Sequence, residues 1–363
     1  VSAPNDDRYR ASAASRNPYA PGGGVSAAAP AGGGEAVPGR ELGRLSQWAL
    51  IWRRFRRHRL AVVSLYFLGV VYALAIGAEF FAPYTPSWRN LDHAYAPPQL
   101  PRFSLSDGLY VPAMKRVTDP VTFRKTYYED PCERVRLGFW VKGEPYRLWG
   151  VFTWDRHFLG VKEASPREDG SVPTFYFLGA DKFGQDIFSR LIHGARVSLS
   201  VGLIAIGVTF VLGIALGGVS GYFGGGVDTA IQRLIEVVNS FPQLPLWLAV
   251  AAVLPPGWSP LAVYLGITVV LSLLNWTGLA RMVRGKILAL REEEYAVAAR
   301  LLGASHARIL FRHLLPGFAS HIIVLLTMSV PAMILGETSL SFLGLGLRAP
   351  IVSWGVMLQD CLS

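Results

Sequence analysis

The chain has 363 residues, 51% hydrophobic and only 17% charged, with a formal charge of +10. Ordinary soluble domains carry about 25% charged residues, so the composition sets a water-soluble enzyme aside in favour of an integral membrane protein. The positive charge is also not spread as on a nucleic-acid-reading face. Seven Arg between Arg40 and Arg59 precede the first apolar run and seven Lys/Arg lie from Arg281 to Arg312, as in short cytoplasmic flanks.

Residues 1–40 are Ala, Gly, Pro and Ser with scattered charges, too little apolar surface to offset chain entropy, and read as a disordered cytoplasmic tail. Residues 41–83 hold a basic segment and the first predicted span, Leu60 to Ala78, uncharged for nineteen residues where a bilayer needs about 20. The Arg cluster before it puts the N-terminus in the cytoplasm. Residues 84–178 are charged, aromatic and proline-containing, with no spanning run. They read as a small extracytoplasmic insertion domain, in which RLGFWV and YRLWGVF have strand-like composition.

From 179 to 363 the chain reads as a helical membrane core. Val197 to Tyr222 is a Gly-rich second span suited to close helix packing. Ile231 to Leu254 and Leu261 to Ala280 are the third and fourth, split by the short turn PPGWSP, and Phe318 to Leu335 is the fifth. The expected fold class is an all-α membrane bundle. Cys132 and Cys361 are too isolated for a disulfide framework or a metal site. Gly285-Lys286 runs on to Ile287 with no glycine loop before it, so no ATP-binding motif is legible and no cofactor is expected in this chain.

Between the fourth and fifth spans, residues 292–316 read EEEYAVAARLLGASHARILFRHLLP. Glutamates up to Glu294 favour a helix N-terminus, and Arg300 sits towards the other end. Tyr295, Ala298, Ala299 and Leu302 fall at i, i+3, i+4 and i+7, a face small enough at its centre for another protein to approach. Gly303 suits a C-terminal cap, Ser305 after Ala304 can cap the next helix, and Pro316 after Leu315 can open a membrane helix without its N–H. A basic amphipathic loop resting on headgroups would account for Arg308 and Arg312, but not for Ala-Ala, Gly and Pro in this register.

This stretch resembles the EAA loop of ABC importer permeases, matching at Ala298, Ala299, Gly303, Leu315 and Pro316 and departing at Val297 and His313. The run from Gly179 resembles the signature before the second span of dipeptide, oligopeptide and nickel permeases. It matches at Gly179, Asp181, Gly184, Asp186, Ser189, Arg190, Gly194, Arg196 and Ser198 and departs at Ala180 and Gln185. Asp186 and Arg190, four apart, suit a local ion pair on an interfacial helix that positions the next span. SLSFLGLGLRAPIVSWGVML from Ser339 resembles a third family segment, with Leu347-Arg348-Ala349 departing.

The resemblance implies a type I ABC importer transmembrane domain of six spans, the sixth following SWG and missing from the sequence in hand. It implies the second, C-type permease subunit, in the bacterial inner membrane. The implied partners are a homologous permease, two ATPase subunits carrying ATP and Mg, and an extracytoplasmic solute-binding protein. Residues 292–316 would hold the coupling helix, and peptides lead the implied solutes. For the pathway the residues themselves offer Asn239, Gln243 and Asn275, polar in apolar spans. Pro242, with Pro245, would free the carbonyls of Val238 and Phe241; helix-to-helix bonding is the equal alternative for the amides. No charge falls mid-span, which speaks against an ion-coupled secondary transporter; a membrane-anchored receptor would need only one helix.

Overall fold

The computed structural model describes residues 52–53, 55–118, 120–121, 125–162, 172–255 and 257–362. The predicted tail at 1–40 lies outside these residues. Among the described residues, four helices are long and apolar enough to cross a bilayer: Arg59–Ile76 (α1), Ile187–Phe223 (α3), Pro260–Leu290 (α6) and the continuous stretch His306–Phe342. Between α1 and α3 lie the short helix Ala78–Phe81 (α2) and a sheet; Gly225–Ser240 (α4) and Gln243–Ala252 (α5) precede α6.

α1 buries only Ala75, beside which Val71 and Tyr72 pack partly buried near Ala195 and Leu199, and most of its remaining apolar surface is exposed. α3 begins ten residues before the predicted second span. It absorbs the interfacial helix read from the signature into one rod of 37 residues, about 55 Å at 1.5 Å per residue. Its glycine stripe explains how it packs. A Cβ at Gly213 would come within 2.6 Å of Leu279, at Gly217 within 2.5 Å of the Ala280 carbonyl, and at Gly221 within 2.8 Å of the Arg284 carbonyl. Small residues four apart thus let α3 and α6 approach backbone to backbone.

The predicted third span is not a straight helix. It is the pair α4 and α5, bent by 88° at Phe241, which is extended (φ −93°, ψ 140°), and Pro242 (φ −59°, ψ 130°). A proline excludes the preceding residue from helical backbone, and Pro245 lies in the first turn of α5, where its missing N–H is harmless. Neither proline therefore frees a carbonyl inside a continuous helix. The start of that predicted span also carries Arg233 and Glu236, which pair at 2.7 Å on the exposed face of α4.

Residues 102–161 form a four-stranded antiparallel meander, β1 (Arg102–Ser104), β2 (Gly108–Thr118), β3 (Lys125–Leu148) and β4 (Phe152–Val161). Val111, Ala113, Val135, Leu137, Val161 and Phe175 make its core. RLGFWV lies inside β3 as its composition suggests, but YRLWGVF contains the β3–β4 turn. Buried Gln99 ties this sheet to the chain around it: its side chain donates to the Pro112 carbonyl (3.0 Å) and accepts from the Tyr176 N–H (2.9 Å).

Candidate functional site

Glu294–Leu301 folds as a short helix (α7) between α6 and the next long helical stretch. Gly303, at φ +78°, ends it: its N–H donates to the Arg300 carbonyl and the Ala304 N–H to the Ala299 carbonyl. That six-to-one closure needs a left-handed residue after the last turn. No atom lies near Gly303's missing Cβ, so glycine is required for conformation, not space. Ser305 then caps the following turn, its side chain accepting the Arg308 N–H, and the chain passes as His306–Arg308 (α8), a π turn and a 3₁₀ turn containing Pro316 into Ala319–Phe342 (α9). Sequence reading anticipated these caps from residue chemistry.

The outward face differs from the predicted one: Ala299 leaves it, and Val297 and Leu301 join it. Ala296 is buried and Ala299 half-buried against the core of Val283, Ile287, Ile309 and Leu314. Tyr295, Ala298, Leu301 and Leu302 are exposed, the two leucines at 82% and 88%. Glu294, Arg300, Ser305, Arg308 and Pro316 are also exposed, whereas Leu315 belongs to the core. Two bonds secure this segment from beneath: Tyr222 Oη lies 2.9 Å from His306 Nδ1, and Arg291 donates to the Gly221 carbonyl (3.1 Å). The result is an apolar surface on a well-anchored base.

The pathway candidates come together. Asn239, Gln243 and Asn275 line one cavity of about 410 Å³, with Thr209, Thr277 and Ser329; Pro242 forms the adjacent break and does not line it. The same groups also join helices. Gln243 donates to Asn275 Oδ1 (2.8 Å), and Thr277 donates to Asn239 Oδ1 (3.1 Å). Cavity lining and helix-to-helix bonding coexist in the same side chains. The cavity lies at the bend, with Asn239 and Phe241 lining it from one side and Gln243 from the other.

The signature run from Gly179 is directed inward. Asp186 caps α3, accepting from Ser189 N–H (2.8 Å) and Oγ–H (2.6 Å), and does not pair with Arg190. Arg190 instead ion-pairs with Asp181 and, at 2.8 Å, with Asp360, an acid too distant in sequence for a local rule to find. Gly184 packs against the Asn90 carbonyl and Gly179 against that of Ala96, where no Cβ would fit. Gly194 lies against Ser353 and Trp354. Arg196 pairs with Glu79 and donates to the carbonyls of Ala75 and Ile76, both at 2.8 Å. Burial pushes the Asp186 carboxyl up to about 6 despite the Ser189 bonds; its Oδ1 has no partner among the described residues.

One buried acid escaped the sequence reading. The fifth span was ended at Leu335, but α9 continues to Phe342 and encloses Glu337, which is 0% exposed. Glu337 lies two residues past the predicted span and near the end of α9, not at mid-span. Ser198 donates to its Oε2 (3.0 Å) and Ser341 to its Oε1 (2.8 Å). The same hydroxyls accept the N–H groups of Trp354 (3.2 Å) and Leu347 (2.9 Å). Each serine spends its one hydrogen on the carboxylate, so Glu337 clamps the 347–354 segment onto α3 and α9.

Residues 213–361 match the family model described as binding-protein-dependent transport system inner membrane component, and residues 46–98 match the N-terminal TM domain of oligopeptide transport permease C. A dipeptide transport system permease protein of Bacillus subtilis is 42% identical over 200 residues, 55% of this chain and 61% of that protein's length. A glutathione transport system permease protein of Pectobacterium atrosepticum is 35% identical over 63% of this chain and 71% of its own length. A nickel transport system permease protein of Escherichia coli K12 is 37% identical over 51% and 65%.

Proposed function

Because the chain belongs to the ABC importer permeases of the peptide and nickel family, we propose that it is the C-type permease subunit of a peptide importer. It is a multi-pass inner-membrane protein, and in this reading its N-terminus is cytoplasmic and residues 84–178 lie outside. It pairs with a homologous permease, receives solute from an extracytoplasmic binding protein, and is driven by two ATPase subunits that hold the ATP and Mg.

The observation that carries the reading is the exposed face of α7. Leu301 and Leu302 at 82% and 88% exposure, beside Tyr295 and Ala298, are an apolar surface outside the helices that would meet lipid. Burying two leucines in a partner's cleft stabilises the contact by roughly 3 to 6 kcal/mol before ordering costs. ATP-driven motion of the ATPases would push this face, and the bonds from Tyr222 and Arg291 to the segment and its flank would carry the push into α3. The cavity beneath the bend at Pro242 is the corresponding candidate for the solute path, its amides and hydroxyls suited to a polar, uncharged backbone such as a peptide's.

The test is co-purification and uptake in the assembled importer. Leu302→Asp is expected to release the ATPase subunits and abolish uptake while membrane insertion stays normal. Retention of the ATPases with undiminished uptake would reject the docking role. Ser305→Cys is expected to react with an impermeant thiol reagent only from the cytoplasmic side, and labelling from outside would invert the topology.

A further inference from the structure

The tip of the β3–β4 hairpin carries a residue the turn does not favour. Trp149 and Gly150, the central residues of the Leu148–Val151 turn, both have positive φ (52° and 75°), and the Val151 N–H closes it on the Leu148 carbonyl (3.1 Å). Such a turn ordinarily draws Asn-Gly, because a bulky side chain is strained in left-handed backbone. Tryptophan at this position therefore serves something other than the turn. Its indole N–H donates to the carbonyl of Ile76 (2.9 Å), and the ring stays 60% exposed.

Ile76 is the last residue of α1, whose 18 residues extend about 27 Å, close to the ~30 Å of a bilayer's hydrocarbon core. The indole bond therefore fixes the depth of the tip at the edge of that core. The surroundings agree. The Arg196–Glu79 ion pair marks the polar boundary just past Ile76. Phe80 stacks on Trp154 (5.8 Å) and meets Trp140 at a tilt (5.0 Å) further along the hairpin. Val151 and Phe152, beside the turn, are 72% and 64% exposed, and Arg147 is exposed at its neck. Apolar rings with a polar edge, next to a cation that can reach phosphate, are the chemistry of the membrane–water interface.

We propose that the Arg147–Phe152 tip is an interfacial anchor, seated in the headgroup–acyl boundary of the leaflet at the Ile76 end of α1, so that the sheet is moored to the lipid surface. The bilayer is assigned as occupant because the tip is bonded to the end of a mostly exposed helix that is long and apolar enough to cross a membrane. A partner protein covering the same rings is the competing outcome.

The experiment uses the full chain with Cys132 and Cys361 replaced by Ser, reconstituted in phosphatidylcholine vesicles. An environment-sensitive fluorophore is attached at Val151→Cys or, as a second position in case the first variant fails to fold, at Phe152→Cys. A control label is placed at Lys125→Cys, exposed at the far end of the 24-residue β3. Nitroxides high on the lipid acyl chains are expected to quench the tip label several-fold more strongly than the control, with aqueous iodide showing the reverse order. Quenching of the tip by iodide at the control's level overturns the proposal. Shielding of the tip from iodide and nitroxide alike overturns it as well, since a protein surface would then be the cover.

Discussion

Two stretches that resemble the same family's patterns use their polar and apolar residues in opposite ways. From Gly179 to Arg196, Asp186 is 2% exposed, Ser189 1% and Arg190 7%, and the charged groups find partners within the chain. From Tyr295 to Leu302 the large apolar side chains stand out at 36% to 88%, and only the base is bonded down. A motif whose residues satisfy one another holds the fold, while one whose apolar surface is left exposed is, in the proposed reading, the face offered to a second protein. Resemblance alone does not separate the two cases; burial does.

The sharpest way to break that comparison is at the outward stretch. Gly303→Val is expected to abolish uptake, because a β-branched residue resists φ +78°, while leaving the bundle's melting temperature almost unchanged. A fall in stability of several degrees without loss of coupling would make Gly303 an architectural residue like Gly184. On the inward side, Gly217→Leu forces a side chain into the Ala280 backbone and should cost about 3 kcal/mol or more, read as lost assembly and a lower melting temperature in detergent.

A smaller effect is expected at the cavity. Gln243→Leu removes the bond to Asn275, at about 0.6 to 2 kcal/mol for a polar pair within a membrane bundle. Solute affinity or uptake should change more than stability if the amide faces the path. A comparable effect, confined to a pH window, is titration of Asp186. Its native pKa, about 6, lies above the ordinary carboxylate value, so the folded state holds a proton that the unfolded state has released. Stability from this group is therefore greatest below about pH 4 and is lost as pH rises to about 6, on the order of 1 to 3 kcal/mol. Asp186→Asn keeps a capping oxygen and should flatten that part of the melting-temperature profile between pH 4 and 6.

Much of the architecture was legible because long uncharged runs have few alternatives, and local backbone chemistry announced Gly303 and Ser305. The failures share a cause: each depended on something beyond the local window. Pro242 within a span permits either a kink or a full turn, and only the neighbours of α5 select 88°. Arg190 suits the acid four residues away by local spacing, but its partners are Asp181, nine residues back, and the remote Asp360. Glu337 looked like the end of a helix until Ser198, contributed by another helix, was placed beside it. The β3–β4 turn was hidden because tryptophan stands where asparagine would have signalled it. For the candidate site, the positions were readable but the orientation was not: Ala296 and Ala299 turn towards the core, and Leu301 joins the exposed face in a way the spacing did not select.

The unbroken length of α3 has a mechanical consequence. No proline interrupts Ile187–Phe223; one terminus is cross-braced by Arg190 to Asp181 and Asp360, and the other is fastened through Tyr222 to His306. A strut so fixed cannot absorb a thrust by flexing midway. Any displacement delivered at its foot must reappear at its head as a tilt, about a fulcrum set by the glycine seam with α6.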